Sequence, residues 1–204
     1  MIAVTGLMRS GTSPLAMILH QMGVTMGAYM RFPLHNEKSH PEWEDADLAE
    51  SLVMLIVKQH GSDAARRVID RYVRRRIRVA KGKPWGVKTP FLLPFISDLR
   101  SVCEEMGEPF RLAVTHREYS QTITSLRRQV EHLSIYERGG VFPNLIKIQN
   151  VLAPYWSNAA EGADVYEFKD TRERPRDVAR RLADLAGVDI DVDVAIRGIR
   201  GGEL

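Results

Sequence analysis

At 204 residues, 44% of them hydrophobic, and with a formal net charge of +3, the chain can bury one substantial core and is too short for two comfortable domains. Its longest unbroken apolar run, Leu52 to Val57, is six residues, far below the ~20 that a helix needs to cross a bilayer. With a first strand starting at Ile2, no room is left for a signal peptide, so a single cytoplasmic domain is expected. One cysteine, Cys103, excludes an internal disulfide, and its neighbours Val102 and Met106 place it on the core face of a helix.

In chain order, the apolar run Ile2-Ala3-Val4 predicts a strand. It is followed by Gly6-Leu-Met-Arg-Ser-Gly-Thr-Ser13 and a helix over Pro14 to Met22. Thr25 to Asp45 is polar, carries prolines and lacks a period, which predicts a long loop over a ligand site. Two helices follow, Ala46 to Gln59 and Asp63 to Val79. The second holds Arg66, Arg67, Arg71, Arg74, Arg75, Arg76 and Arg78. Such a cluster could meet an acidic partner, but Ile69, Val73, Ile77 and Ala80 recur at helical spacing and favour an ordinary solvated face over a buried one.

Trp85 to Lys88 predicts a short strand and Pro94 to Met106 a helix. Phe110 to Thr115 predicts a third strand, Tyr119 to Gln129 and Asn144 to Trp156 two helices, and Asp164 to Phe168 a fourth strand. A last helix enters at Pro175 and closes at Gly187. Strands alternating with helices imply an α/β fold, a single domain over 1–204 with a central parallel sheet of four to five strands covered on both faces. Ligands of such sheets sit beyond the carboxyl ends of the strands.

The segment Gly6 to Ser13 fits the frame of a nucleotide phosphate loop, G-x-x-x-x-G-K-[ST], except that Thr12 stands where the lysine belongs. The positive charge has moved to Arg9. Backbone N–H groups of such a loop and the start of the following helix favour an anion whatever the side chains do. Lys88-Thr89 and His116-Arg117 end the next two strands. These ends carry no carboxylate of the kind that holds magnesium in triphosphate enzymes, so the site reads as one that neutralises charge without a metal.

These residues resemble the sulfotransferases that use 3′-phosphoadenosine 5′-phosphosulfate (PAPS) as donor. Their loop is P-[KR]-S-G-T-[TS], and Met8-Arg9-Ser10-Gly11-Thr12-Ser13 is similar to it with Met in place of Pro. The resemblance implies that Arg9, Ser10, Gly11, Thr12 and Ser13 cradle the 5′-phosphosulfate, with Arg9 at the bridging oxygen where charge develops. It implies that Arg117 and Ser125, eight residues apart, hold the 3′-phosphate. An all-helical 117–125 would separate them by about 12 Å along the axis, so a bend after Arg117 is required. Lys88-Thr89-Pro90 looks like the family's lysine signature, whose lysine approaches the sulfuryl group, and Arg197-Gly198 like its basic segment over the 3′-phosphate.

Two departures matter: Pro14 stands where some members stack a Trp on adenine, and Pro90 where the cytosolic small-molecule branch has a catalytic His. The resemblance to bacterial and carbohydrate-modifying members points instead to a carboxylate from the loop before Ala46. Glu44 is the candidate general base, with Glu42, Asp45 and His40 behind it, although acids there also suit the start of the next helix. The resemblance runs in order through most of the chain. It implies transfer of a sulfuryl group to a hydroxyl or amine acceptor that the sequence does not identify. Two other readings compete. One is a P-loop kinase using ATP and magnesium with Arg9 as its lysine. The other is a basic module whose arginine helix tracks nucleic-acid phosphates, with a steep salt dependence.

Overall fold

A computed structural model describes residues 1–27, 45–59, 61–131, 145–189 and 191–200, the side chains at 46–47, 129–131 and 197–200 excepted. Four strands, β1 (Ile2–Gly6), β2 (Gly86–Lys88), β3 (Arg111–His116) and β4 (Asp164–Glu167), form one parallel sheet in the order β2-β1-β3-β4. β1 lies centrally, pairing Ile2 with both Gly86 and Arg111 and Gly6 with Thr115, and all five of its residues are buried. The strand after each crossover adds on one side or the other of β1, so the chain reverses direction across the sheet beside the β1 loop.

The period-two alternation of a strand divides the apolar residues between two helical layers. Ile2, Val4, Ala113 and Tyr166 face α1 (Thr12–Gln21), α8 (Pro175–Ala186) and α9 (Val192–Arg200). Ala3, Val87, Leu112 and Val114 face a second layer. It comprises α2 (Ala46–Val57), α3 (Ser62–Ala80), α4 (Ile96–Glu105), the 3-10 turn Pro90–Phe95 and α6 (Leu145–Ala160). The remaining helices, α5 (Tyr119–Glu131) and the short α7 (Phe168–Glu173), follow β3 and β4 directly.

Two segments differ from the sequence reading. The fourth strand stops at Glu167, and Phe168 opens α7. The basic segment at Arg197 and Gly198, given no secondary structure by the sequence, is helical. Asp191 accepts from the N–H groups of Asp193 and Val194 through Oδ1, and Ala195 and Ile196 are buried. That local cap and apolar spacing outweigh the helix penalty of one glycine.

In α3, Ile69, Val73 and Ala80 are buried as expected. One member of its basic cluster is not a surface charge. Arg76 is 8% exposed, donates from Nη2 to the carbonyls of Thr25 and Met26 at 2.8 and 3.2 Å, and lies 5.6 Å from the Trp85 ring centroid.

Candidate anion-binding site

The loop between β1 and α1 is shaped by two glycines. A Cβ on Gly6 would stand 2.1 Å from Thr115 Oγ1, and one on Gly11 would stand 2.7 Å from the Phe168 ring. Gly11 also takes φ 98° as the residue before α1, in the left-handed region, and its missing side chain leaves the first turn without a side-chain cap. The unsatisfied N–H groups of that turn carry partial positive charge. Arg9 is held at φ 66°, a second left-handed residue in the same loop. Pro14 sits within the first turn, where its absent N–H costs nothing.

Ser10 is buried, and its hydroxyl is spent inside the protein. It donates to Leu7 C=O and shares a hydrogen bond with Thr115 Oγ1, both at 2.5 Å. Its backbone N–H also donates to Leu7 C=O, at 3.1 Å, so Ser10 ties the loop together and to β3. Thr12 is 6% exposed and Ser13 half-buried.

The bend demanded by the Arg117–Ser125 spacing is present. β3 ends at His116 and α5 begins at Tyr119, so Arg117 precedes the helix. The two residues line one cleft of about 320 Å³ along α5, with Ser120, Gln121, Thr124 and Arg128. Arg9 joins them: its Nε donates to Ser125 Oγ at 3.2 Å, and Arg117 Nη1 donates to Arg9 C=O at 3.1 Å. Arg117 Nε reaches Gln121 Oε1 at 3.3 Å, and its guanidinium lies 4.2 Å from the Phe168 ring centroid. Partial burial, then the nearby charges of Arg9 and Arg172, hold the Arg117 pKa below its ordinary value. No carboxylate pairs with Arg9 or Arg117 among the described residues. Like charges brought together without a counter-ion form a site for an anion.

Lys88 ends β2 beside the loop and is 3% exposed, unlike a surface lysine before a turn. Thr89 fixes the following corner: its C=O accepts from Thr5 Oγ1 at 2.9 Å and its hydroxyl from Phe91 N–H at 3.3 Å. β1, β2 and β3 end in Gly6, Lys88 and His116, without a carboxylate. β4 ends in Glu167, which meets His116 Nδ1 at 2.9 and 3.0 Å, and His116 packs on Trp156 with centroids 4.7 Å apart.

Glu44, Glu42 and His40 lie outside the described residues. Asp45 lies within them and is 2% exposed, accepting from Leu48 N–H at 3.3 Å and lying 3.8 Å from Arg75. It is the cap of α2 and so takes the helix-start role that acids in this stretch were expected to share. Arg197 and Gly198 fall on α9, which packs on α1 and α8.

Three contributors escaped the sequence reading. Phe168 backs both Gly11 and Arg117, Arg172 adds charge, and Gln149 holds the loop. Gln149 did carry a signal, as a polar residue on the apolar stripe Leu145, Ile148, Leu152 of an amphipathic helix.

The described residues form an α/β fold with a four-stranded parallel sheet flanked by helices, and the loop after β1 brings the side chains of Arg9 and Ser125 together beside Arg117. Two solved structures share this architecture over nearly all of the chain. The sulfotransferase STF9 from Mycobacterium avium matches with a TM-score of 0.61 at 15% identity, over 98% of this chain and 67% of that one. The sulfotransferase STF1 from Mycobacterium tuberculosis H37Rv matches with a TM-score of 0.57 at 16% identity, over 98% and 70%. The chain thus has the sulfotransferase fold at about two thirds of the length of these neighbours. No family model and no curated protein sequence matches it.

Proposed function

We propose that this protein transfers a sulfuryl group from PAPS to a hydroxyl or amine acceptor by in-line attack on sulfur. The observation that carries the reading is the meeting of Arg9, Arg117 and Ser125 at the loop. A donor with anionic groups at both its 3′ and 5′ positions suits a phosphate loop that carries Arg9 and has a second cation, Arg117, beside it. A simple nucleotide gives the second cation no role. The fold shared with the two mycobacterial sulfotransferases supports the same reading.

In this scheme the backbone N–H groups of Gly11, Thr12 and Ser13 receive the 5′-phosphosulfate. Arg9 and Lys88 stabilise charge that develops on the bridging and sulfuryl oxygens as the S–O bond to the donor phosphate breaks. Arg117 and Ser125 hold the 3′-phosphate, by charge-assisted bonds from the guanidinium and by the hydroxyl now bonded to Arg9. Arg197 and Gly198, on a helix docked against α1, add a short basic cover to that end. Glu44 takes the acceptor's proton, which fixes the order of the step: the proton leaves the acceptor oxygen or nitrogen as that atom bonds sulfur, and 3′-phosphoadenosine 5′-phosphate departs.

The test is direct binding of 3′-phosphoadenosine 5′-phosphate to the purified protein. The proposal expects saturable binding that weakens roughly ten- to a hundredfold in Arg117→Ala, the effect of losing about 1.5–3 kcal/mol of charged hydrogen bonding. Undetectable binding at millimolar ligand would sink it.

A further inference from the structure

The side chain of Gln149, on α6, is wholly buried, and its amide makes three hydrogen bonds. Oε1 accepts from Met8 N–H at 3.0 Å, and Nε2 donates to Met8 C=O at 3.1 Å and to Thr122 Oγ1 at 3.3 Å. Thr122 in turn donates to Tyr119 C=O at 2.7 Å. One side chain thus grips both backbone groups of a single loop residue and ties them to the first turn of α5, whose lead-in is Arg117.

A trans peptide sends its C=O and N–H to opposite sides, and the described residues contain no cis peptide bond. With Met8 C=O drawn to Gln149, the N–H of Arg9 is turned away from α6. Arg9 itself sits at φ 66°, a conformation that persists in a residue with a side chain only where its surroundings over-determine it. Gln149 is the neighbour that fixes the preceding peptide. Anion-binding concavities of this kind work by the aim of successive backbone N–H groups.

We propose that Gln149 is a positioning residue: it locks the Met8–Arg9 peptide so that the loop N–H donors and the Arg9 guanidinium are presented together to the donor's 5′-phosphosulfate. This rests on the donor reading above. The site demands one acceptor and two donors in a plane, which a carboxamide supplies. An apolar isostere takes away the partners of the part-buried Met8 N–H and C=O groups. An ionised carboxylate lacks the donors and sets its charge against Met8 C=O and the incoming anion, whereas the neutral acid can still accept from Met8 and donate one proton.

The experiment measures calorimetric binding of 3′-phosphoadenosine 5′-phosphate, and hydrogen exchange in the loop peptide 5–13, for the unaltered protein, Gln149→Met and Gln149→Glu. Gln149→Met is expected to bind at least about tenfold more weakly and to exchange its loop amides faster, with circular dichroism unchanged. For Gln149→Glu, the affinity relative to the unaltered protein is expected to fall as pH rises over about 5 to 9, the range in which a buried carboxyl ionises. It should recover at the acid end, a signature that a merely structural role would not produce. A folded Gln149→Met that binds within about twofold of the unaltered protein overturns the proposal, as does a Gln149→Glu ratio flat across that range; if Gln149→Met does not fold, the second variant decides alone. Should the unaltered protein not bind the nucleotide, the donor reading falls by itself. Loop exchange then still judges the clamp, and exchange unchanged in Gln149→Met refutes it.

Discussion

Gly11 has neither the backbone angle nor the space for a side chain: its φ is 98° and a Cβ would sit 2.7 Å from Phe168. Gly11→Ala is therefore expected to cost about 1–3 kcal/mol, read as a lower urea midpoint, and to push Phe168 off Arg117 and weaken anion binding. A variant of unchanged stability and affinity would mean that the loop relaxes freely. The glycine frame of this loop was legible because a turn needing positive φ selects glycine. The supports behind it were not. Gln149 and Phe168 reach the loop from more than a hundred residues away, and no local pattern encodes that meeting. Ser10 shows a further limit, since its place in the motif says nothing of whether its hydroxyl faces a ligand or Thr115. The Arg117–Ser125 spacing did carry geometry, because two residues that must meet across it need a non-helical residue after the strand.

The arginine helix α3 shows how one element divides its charges. Arg67, Arg71 and Arg78 are exposed, while Arg76 holds the carbonyls of Thr25 and Met26, and Thr25 bridges Trp85 just before β2. Combined Arg67→Ala, Arg71→Ala and Arg78→Ala is expected to change stability by less than about 0.5 kcal/mol per site and to leave nucleotide binding intact. Arg76→Ala is expected to cost about 1.5–3 kcal/mol, both effects being read from denaturant titrations. If the triple variant abolished all binding of polyanions and nucleotides together, the helix rather than the loop would be the anion site. On α4, Cys103 is wholly buried, and burial pushes its thiol from 9.0 up to about 12. The folded state thus favours the protonated form. Its contribution to stability is complete below pH 9.0 and is lost as pH rises through about 12. Alkylation at pH 8 should be negligible in the native protein and complete in denaturant. Rapid native labelling would contradict this packing. The sequence marked α3 and α4 but left α9 without an element, because the capping Asp191 and the pair Ala195, Ile196 went unused.

For the molecule as a whole, the alternation of strands and helices was enough to specify a parallel sheet, since the central strands β1 and β3 are buried over most of their length and the crossovers carry amphipathic helices. Strand order was not specified, as it depends on which side of β1 each crossover lands. Among the described residues no helix is long and apolar enough to cross a membrane. Bringing Arg9, Arg117 and Arg172 together costs electrostatic repulsion that a multiply charged ligand removes. Saturation with 3′-phosphoadenosine 5′-phosphate should therefore stabilise the fold, by about 2.7 kcal/mol at a hundred times the dissociation constant, visible as a rise in melting temperature. On the proposed function, loop and Arg117 together serve a nucleotide phosphorylated at its 3′ position. The most direct test is calorimetric titration with 3′-phosphoadenosine 5′-phosphate, with the analogue lacking the 3′-phosphate, and with ATP plus magnesium. Tightest binding of the first is expected, by at least about tenfold, the worth of one good charged contact. Equal binding of the first two, or a preference for ATP with magnesium, would contradict it.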